Sequence, residues 1–336
     1  MRTKTLLAGA LAGATALTLV GGCAAKEIKA LEPKLELRNA AQQLSGSQQA
    51  GFTIKLSGKP EDLIAAIKQQ EKTDGTAAAD KFGTDDETIV KQVFNSSFTV
   101  AYDKGGAGAT DDKSMLAATI DGVTGTELRA VDGTLYVKAP VTDLAAKFGA
   151  KAADVAAIRE QAAGTVPGLS ALFDGKWVSV DSKELTGLAG AEAGVPTPSA
   201  QQEQVVKELT TSANNLLDGA TVVRDSADDN HIVVTSSTVK AYTEGQRLAD
   251  TLLGKLGNEL PKTAPKDRPI VMDLWVDNGK FTAAEINLLQ FVDGATGRVA
   301  VRIDVASGQP IAAPTGATKI DTKSLAGAMA GLPTPK

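Results

Sequence analysis

Only one of the 336 residues is cysteine, one is histidine and two are tryptophan. A single cysteine excludes an internal disulfide framework. Stability must then come from a hydrophobic core, which a chain of ~300 residues can build. One Cys and one His cannot form a His/Cys zinc set, which needs several converging ligands, and no metal or cofactor is expected. No G-x-S-x-G elbow is present either. His231 opens the segment "HIVVTSS" with no legible partner and reads as an exposed strand-end residue. The chain is therefore expected not to be an enzyme. Aromatics are 4% of the residues, too few for a stacking platform for bases or sugars. Trp177 and Trp275 lie among Val and Leu and read as core packing. The formal net charge is −5 without a basic patch, so nucleic acid is not an expected partner.

A membrane-spanning run is missing too. Leu6 to Val20 is almost wholly small or apolar, but at about 15 residues it falls short of the ~20 needed to cross a bilayer as a helix. Arg2 and Lys4 precede it without an acid, the pattern of a secretory signal. The run ends in Val20-Gly21-Gly22-Cys23, not in an A-x-A-like site. This ending resembles the lipobox of bacterial lipoproteins, although Val20 stands where Leu is commoner. The resemblance implies that residues 1–22 are a lipoprotein signal peptide and that Cys23 is the lipidation site, carrying a diacylglyceryl group with palmitate-type chains. It also implies a protein anchored on the extracytoplasmic face of the cell membrane. Two acyl chains hold a protein where one binds only marginally. Without Arg2 and Lys4 the 35 basic residues fall to 33, against 40 acidic ones, a net charge of −7. No polybasic segment adds attraction to anionic headgroups.

Residues 23–30 read as a lipidated tether and 31–336 as a single domain. Leu31, Leu35, Leu37 and Leu44 allow an amphipathic helix ending near Gly46. The period then changes to two in "GFTIKLSG". Helices are expected over 61–71 and 85–93, flanking a polar insertion. From position 94 strands dominate, with hairpins turning on Asp132-Gly133, Asp277-Asn278-Gly279 and Asp293-Gly294. Helices are expected over 141–172, 201–217 and 239–257, and a loop over 186–200. About eleven strands in successive hairpins predict an α+β fold. A large antiparallel sheet curls, so the expected form is a half-barrel with helices on its concave face.

The acidic runs "TDDE" (84–87) and "DSADDN" (225–230) lack the glycine and terminal Glu of a calcium loop. They read as a helix start and a hairpin loop. "GGAGATDD" links two strands and reads as a loop, not a phosphate cradle.

Alternation assigns one face of the sheet to Phe52, Ile54, Leu56, Phe98, Val100, Leu135, Val137, Met272, Leu274, Val276, Ile286, Leu288, Val301 and Ile303. From the residues alone, this face either lines a cavity or packs as a filled core. The order "ELRAVDGTLYVK", "FDGKWVSVD", "HIVVTSS", helix, "RPIVMDLWVDNGKFTAAEINLLQF" and "GRVAVRIDV", behind the motif at Cys23, resembles the actinobacterial LppX/LprG-type lipoproteins. Their half-barrel is related to the periplasmic carriers LolA and LolB. The resemblance implies an apolar cavity for the acyl chains of a lipid or lipoglycan. The segment 60–93 and the overall length exceed what is usual for that group. The alternative is a surface lipoprotein that binds a protein partner or organises the envelope without a ligand cavity.

Overall fold

A computed structural model of the chain describes residues 23–74, 82–106, 111–182, 184, 207–208, 211–212, 214–252, 263 and 266–324. The first half comprises α1 (Cys23–Ser45), β1 (Gln49–Gly58), α2 (Pro60–Asp74), α3 (Thr84–Phe94), β2 (Ser97–Asp103), β3 (Lys113–Ile120), β4 (Val123–Val131) and β5 (Thr134–Lys138). There follow α4 (Val141–Lys147), α5 (Ala152–Thr165), α6 (Ser170–Phe173), β6 (Val178–Asp181), β7 (Thr221–Arg224), β8 (His231–Ser237) and α7 (Thr238–Leu252). The chain then forms β9 (Pro269–Asp277), β10 (Lys280–Asn287), a 3-10 turn (Leu288–Phe291), β11 (Val299–Ser307) and β12 (Thr318–Lys319).

All twelve strands join one sheet in the order β12-β6-β5-β4-β3-β2-β1-β11-β10-β9-β8-β7. Tight turns explain most of this order. Asp132 and Gly133 have φ of 48° and 72°, and Asn278 and Gly279 have 50° and 74°. Positive φ at both central residues gives a type I′ turn, whose twist suits antiparallel neighbours. Among the described strands the one parallel pair is β12 with β6. It arises because the chain leaves β11 near the sheet's middle and crosses one face to reach the β6 edge. Ile311 packs on Ala101 and Val131 along that path. The amide of Ile311 donates to Asp103 Oδ2 (3.1 Å).

The architecture is the expected α+β half-barrel, with eleven strands where alternation put them and β12 in addition. The first helix starts at Cys23, not near Leu31, so the segment read as a tether is helical in its backbone. The expected helix over 201–217 and loop over 186–200 lie partly or wholly outside the described residues, as do residues 253–257 of the expected 239–257 helix.

Helices cover the apolar face at its two ends. Leu37 and Ala40 of α1 pack with Val222, Ile232, Val234 and Val276. Val166 and Ala171 pack with Val178 and Val180 at the other end. A bulge between Phe281 and Ala283 sets Phe281 opposite Val276, which turns its ring onto the covered side.

Candidate functional site

Register turns the alternation into continuous apolar rows. Phe52 pairs with Val305 on one side and Val100 on the other. Val100 continues to Leu116, Leu128, Val137 and Val178. A second row runs Phe98, Ile54, Ile303, Ala284, Leu274, Ile232. A third runs Leu56, Val301, Ile286, Met272, Val234. Leu135 lies opposite Val180 on the same face. Thirteen of the fourteen expected residues therefore share one side of the sheet. Leu288 does not: it lies in the 3-10 turn and packs against Ala66, Leu289 and Val299.

This side is not uniformly covered. At the α1 end Ile232 is 0% and Val276 1% exposed, and Met272 and Leu274 pack against that cluster. At the α6 end Val178 is 1% exposed and Val137 packs beside it. In the middle, Ile54, Phe98, Val100 and Leu116 are 39–49% exposed. Alternation missed Leu116 and Leu128, although the strand "SMLAATID" carries a period-two signal of its own. The site is thus an apolar strip over β1, β2 and β3 between two covered flanks.

On the same face a cavity of about 240 Å³ opens at the α7 end. Leu216, Ala241, Ile270, Met272, Ile286 and Phe291 give it apolar walls, and Ser236, Thr238 and Arg268 add polar ones. Two of the expected residues, Met272 and Ile286, line it.

The opposite face carries charge. Lys55 Nζ meets Asp304 Oδ2 at 2.7 Å, and Asp304 Oδ1 accepts from Arg302 Nε at 2.6 Å. Arg302 Nη1 also donates to Glu285 Oε1 at 2.9 Å. Glu285 lies directly across from Asp273, a like-charge pairing that is unfavourable alone. Arg298 Nη2 bridges the two carboxylates, donating to Asp273 Oδ2 (2.8 Å) and to Glu285 Oε2. Burial opposes the charge on Glu285, yet hydrogen bonds from Arg302 and Arg298 outweigh it and hold its pKa below the usual value.

His231 ends this chain of charges, and it is not the exposed residue expected. Its Nδ1 lies 3.0 Å from Asp225 Oδ2 and its Nε2 3.0 Å from Asp273 Oδ1. Its ring stacks on Trp275 at 4.7 Å. Two carboxylates, one on each nitrogen, favour the doubly protonated ring. Burial opposes that charge, but the bonds to Asp225 and Asp273 prevail and the pKa is raised. Trp275 is half-buried on the charged face between His231 and Arg302, whose guanidinium lies 5.1 Å from its ring. Arg129 lies 5.0 Å from the Trp177 ring in the same manner. Both tryptophans therefore carry cations and are not apolar core.

The acidic loops have structural work. Asp86 Oδ2 accepts from the Gly83 amide at the start of α3 (2.8 Å). Asp225 and Asp228 accept from the amides of Ala227 and Asn230 (2.9 Å each). In the β2–β3 loop the Gly105 amide donates to Asp112 Oδ1 (3.2 Å), while residues 107–110 lie outside the described part. Among the described residues no group of three or more His, Cys, Asp or Glu is placed to hold a metal. None of the described helices is long and apolar enough to cross a membrane. The signal-like segment 1–22 lies outside the described residues, and of Cys23 only the backbone is described.

No protein-family model matches the chain. No curated protein matches it either. The solved structures it is similar to include the lipoprotein LppX of Mycobacterium tuberculosis, at 12% identity and a TM-score of 0.32, over 84% of this chain and 99% of that one. LprF from Mycobacterium bovis is similar at 13% identity and a TM-score of 0.37, over 85% of this chain and 98% of that one.

Proposed function

We propose that the protein is a cell-envelope lipoprotein, anchored through Cys23 on the extracytoplasmic face of the membrane, that binds lipid acyl chains on the apolar face of its half-barrel. The observation that carries this reading is the strip of Ile54, Phe98, Val100 and Leu116, left 39–49% exposed between flanks that helices bury. Contiguous exposed apolar surface marks a binding site, and an acyl chain is the ligand that matches a surface with alternating aliphatic side chains and no charge. The mechanism is partition. Each methylene gains about 0.8 kcal/mol by leaving water, in a bilayer or on the protein, so exchange between the two is close to balanced and needs no fuel. Ion pairs on the opposite face and the crossing segment at Ile311 contact the central strands from the other side. No catalytic role, metal or cofactor enters this reading.

Native mass spectrometry of the form beginning after Cys23 tests it. Co-purifying lipid, released by denaturation and lost in a Phe98→Arg variant, is the expected result. A wild type that neither carries lipid nor takes up a fluorescent fatty acid refutes the reading. One observation favours the alternative of a protein-binding envelope module: Ile89 and Val93, one turn apart on α3, are 56% and 48% exposed. Ile89→Glu with Val93→Glu separates the two, because it should leave lipid uptake unchanged and abolish capture of a protein partner only if that alternative holds.

A further inference from the structure

The cavity at the α7 end contains one group that the apolar packing does not explain. Ser236 follows Val234 by two residues on β8, so it points to the same apolar side, and its partner across the ladder is Ile270. Its Oγ is buried and has no hydrogen-bond partner among the described residues. A buried hydroxyl without a partner is unfavourable where alanine fits. Thr238, on the next rung, differs: its Oγ1 donates to Lys266 O (2.8 Å) and accepts from the Arg268 amide (3.0 Å).

A cation stands at the same place. Thr238 N donates to Arg268 O (2.9 Å), so Arg268 lies one same-face rung beyond Ile270, about 7 Å along the strand. Arg268 lines the cavity, and its Nη2 donates to the carbonyl of Phe291, another lining residue. Its ion pair is with Asp293 Oδ1 (2.9 Å), a carboxylate 99% exposed, and such exposed pairs bind weakly. The site therefore combines an apolar floor of Ile270, Met272 and Ile286 with two polar lining residues, Ser236, whose buried hydroxyl has no partner among the described residues, and Arg268. At about 240 Å³ it lies below the size of pockets that enclose whole drug-sized ligands.

We infer that this cavity receives the carboxylate end of a single-chain fatty acid, with Ser236 donating to one carboxylate oxygen and Arg268 supplying the counter-charge. The chain then leaves along the row Met272, Ile286, Val301, Leu56 toward the open strip. This inference rests on the lipid-binding reading and adds to it a polar end and a direction.

Calorimetric titration of the form beginning after Cys23 with dodecanoate and with methyl dodecanoate, at pH 8, tests it. The two ligands share the chain and differ in charge. The wild type is expected to favour dodecanoate about tenfold, the scale of one charge-assisted hydrogen bond. Ser236→Ala and Arg268→Gln should each remove that preference and leave ester binding within about threefold. Arg268→Lys, which keeps the cation, should retain part of it. Equal affinity for the two ligands in the wild type, or a preference unchanged in both Ser236→Ala and Arg268→Gln, overturns the inference while leaving the strip as a lipid site. Dodecanoate binding that responds to Ser236→Ala but not to Phe98→Arg, without uptake of longer lipids, leaves the inference standing and removes the carrier reading. A wild type that binds neither ligand removes both.

Discussion

Substitution of Phe98 by arginine separates an open binding surface from an ordinary core. Phe98 is 49% exposed, so about half of its side chain is already in water. Full burial of a phenylalanine is worth ~1.5–3 kcal/mol, so removing the buried half costs folding about 1 kcal/mol. The neighbours across the ladder, Ile54 and Ala118, are uncharged. The arginine stem can lie on them while its head reaches water. A loss of that size lowers the melting temperature by about 2–4 °C. Lipid binding should suffer more, because an acyl chain laid on the strip must desolvate the guanidinium or avoid it. A tenfold fall in affinity corresponds to about 1.4 kcal/mol and is the least effect expected. Ile232→Ala is the control: at 0% exposure in the α1 cluster it should cost ~2–5 kcal/mol. Thermal melting and titration with a fluorescent fatty acid read both quantities. If Phe98→Arg destabilises as much as Ile232→Ala, the strip is packed core. If it leaves fatty-acid affinity unchanged, the strip is not the binding surface. Either result refutes the reasoning.

Cys23→Ala should move the protein from the membrane fraction to the soluble one and abolish acylation, read by mass spectrometry of the N-terminal peptide; an unmodified wild-type Cys23 contradicts the anchor. The raised pKa of His231 gives stability that is full below the unfolded-state value near ~6.5 and is lost as pH rises through the folded value. Melting temperature should therefore fall as pH rises above ~6.5, and His231→Gln should flatten that part of the profile; an unchanged slope refutes the paired imidazolium. The lowered pKa of Glu285 acts in the other direction, contributing stability above ~4.3 that is lost as pH falls through the folded value. Glu285→Gln keeps one acceptor oxygen but loses the charge and the other acceptor, so one of Arg298 and Arg302 loses its bond to residue 285; it should cost about 1–3 kcal/mol in urea unfolding, whereas a neutral effect argues that the two arginines re-pair.

Strand content was legible because two local signals agree: period-two alternation and Asp-Gly or Asn-Gly turns. Phe52, Ile54 and Leu56 cannot leave the apolar side without a one-residue slip, and β1 has two partners holding its register. What alternation cannot contain is the identity of the layer above it. Ile54 and Ile303 read alike in the sequence, and so do Phe98 and Leu274, yet α1 lies over the row's Leu274–Ile232 end while Phe98 is left 49% exposed. Covering depends on where a helix returns after tens of residues. The same limit hid the partners of His231. Asp225 is six residues away, but Asp273 arrives only through the pairing of β8 with β9. The twelfth strand failed for another reason: two residues, Thr318 and Lys319, carry no period at all.

The two faces together explain how a wide sheet keeps an uncovered apolar middle. An apolar sheet face usually requires another layer, since an uncovered one forfeits burial energy and invites aggregation. Here the central strands are held from the other side. Lys55, Asp304, Arg302, Glu285, Arg298, Asp273, His231 and Asp225 alternate in sign from β1 across β11, β10 and β9 to the loop before β8. A single exposed ion pair contributes little, but a linked set with half-buried members resists splaying of the strands because no member can move alone. Ile311 adds apolar cover at Ala101 and Val131, beneath β2 and β4. The middle of the sheet thus draws its cohesion from its charged face, and its apolar face stays uncovered at Ile54, Phe98, Val100 and Leu116. Weakening the network should therefore widen the strip before it unfolds the flanks: in hydrogen exchange, Glu285→Gln should speed the amides of β11 and β10 more than those of β5 and β6. Uniform acceleration across all strands would mean that the two faces are not coupled in this way.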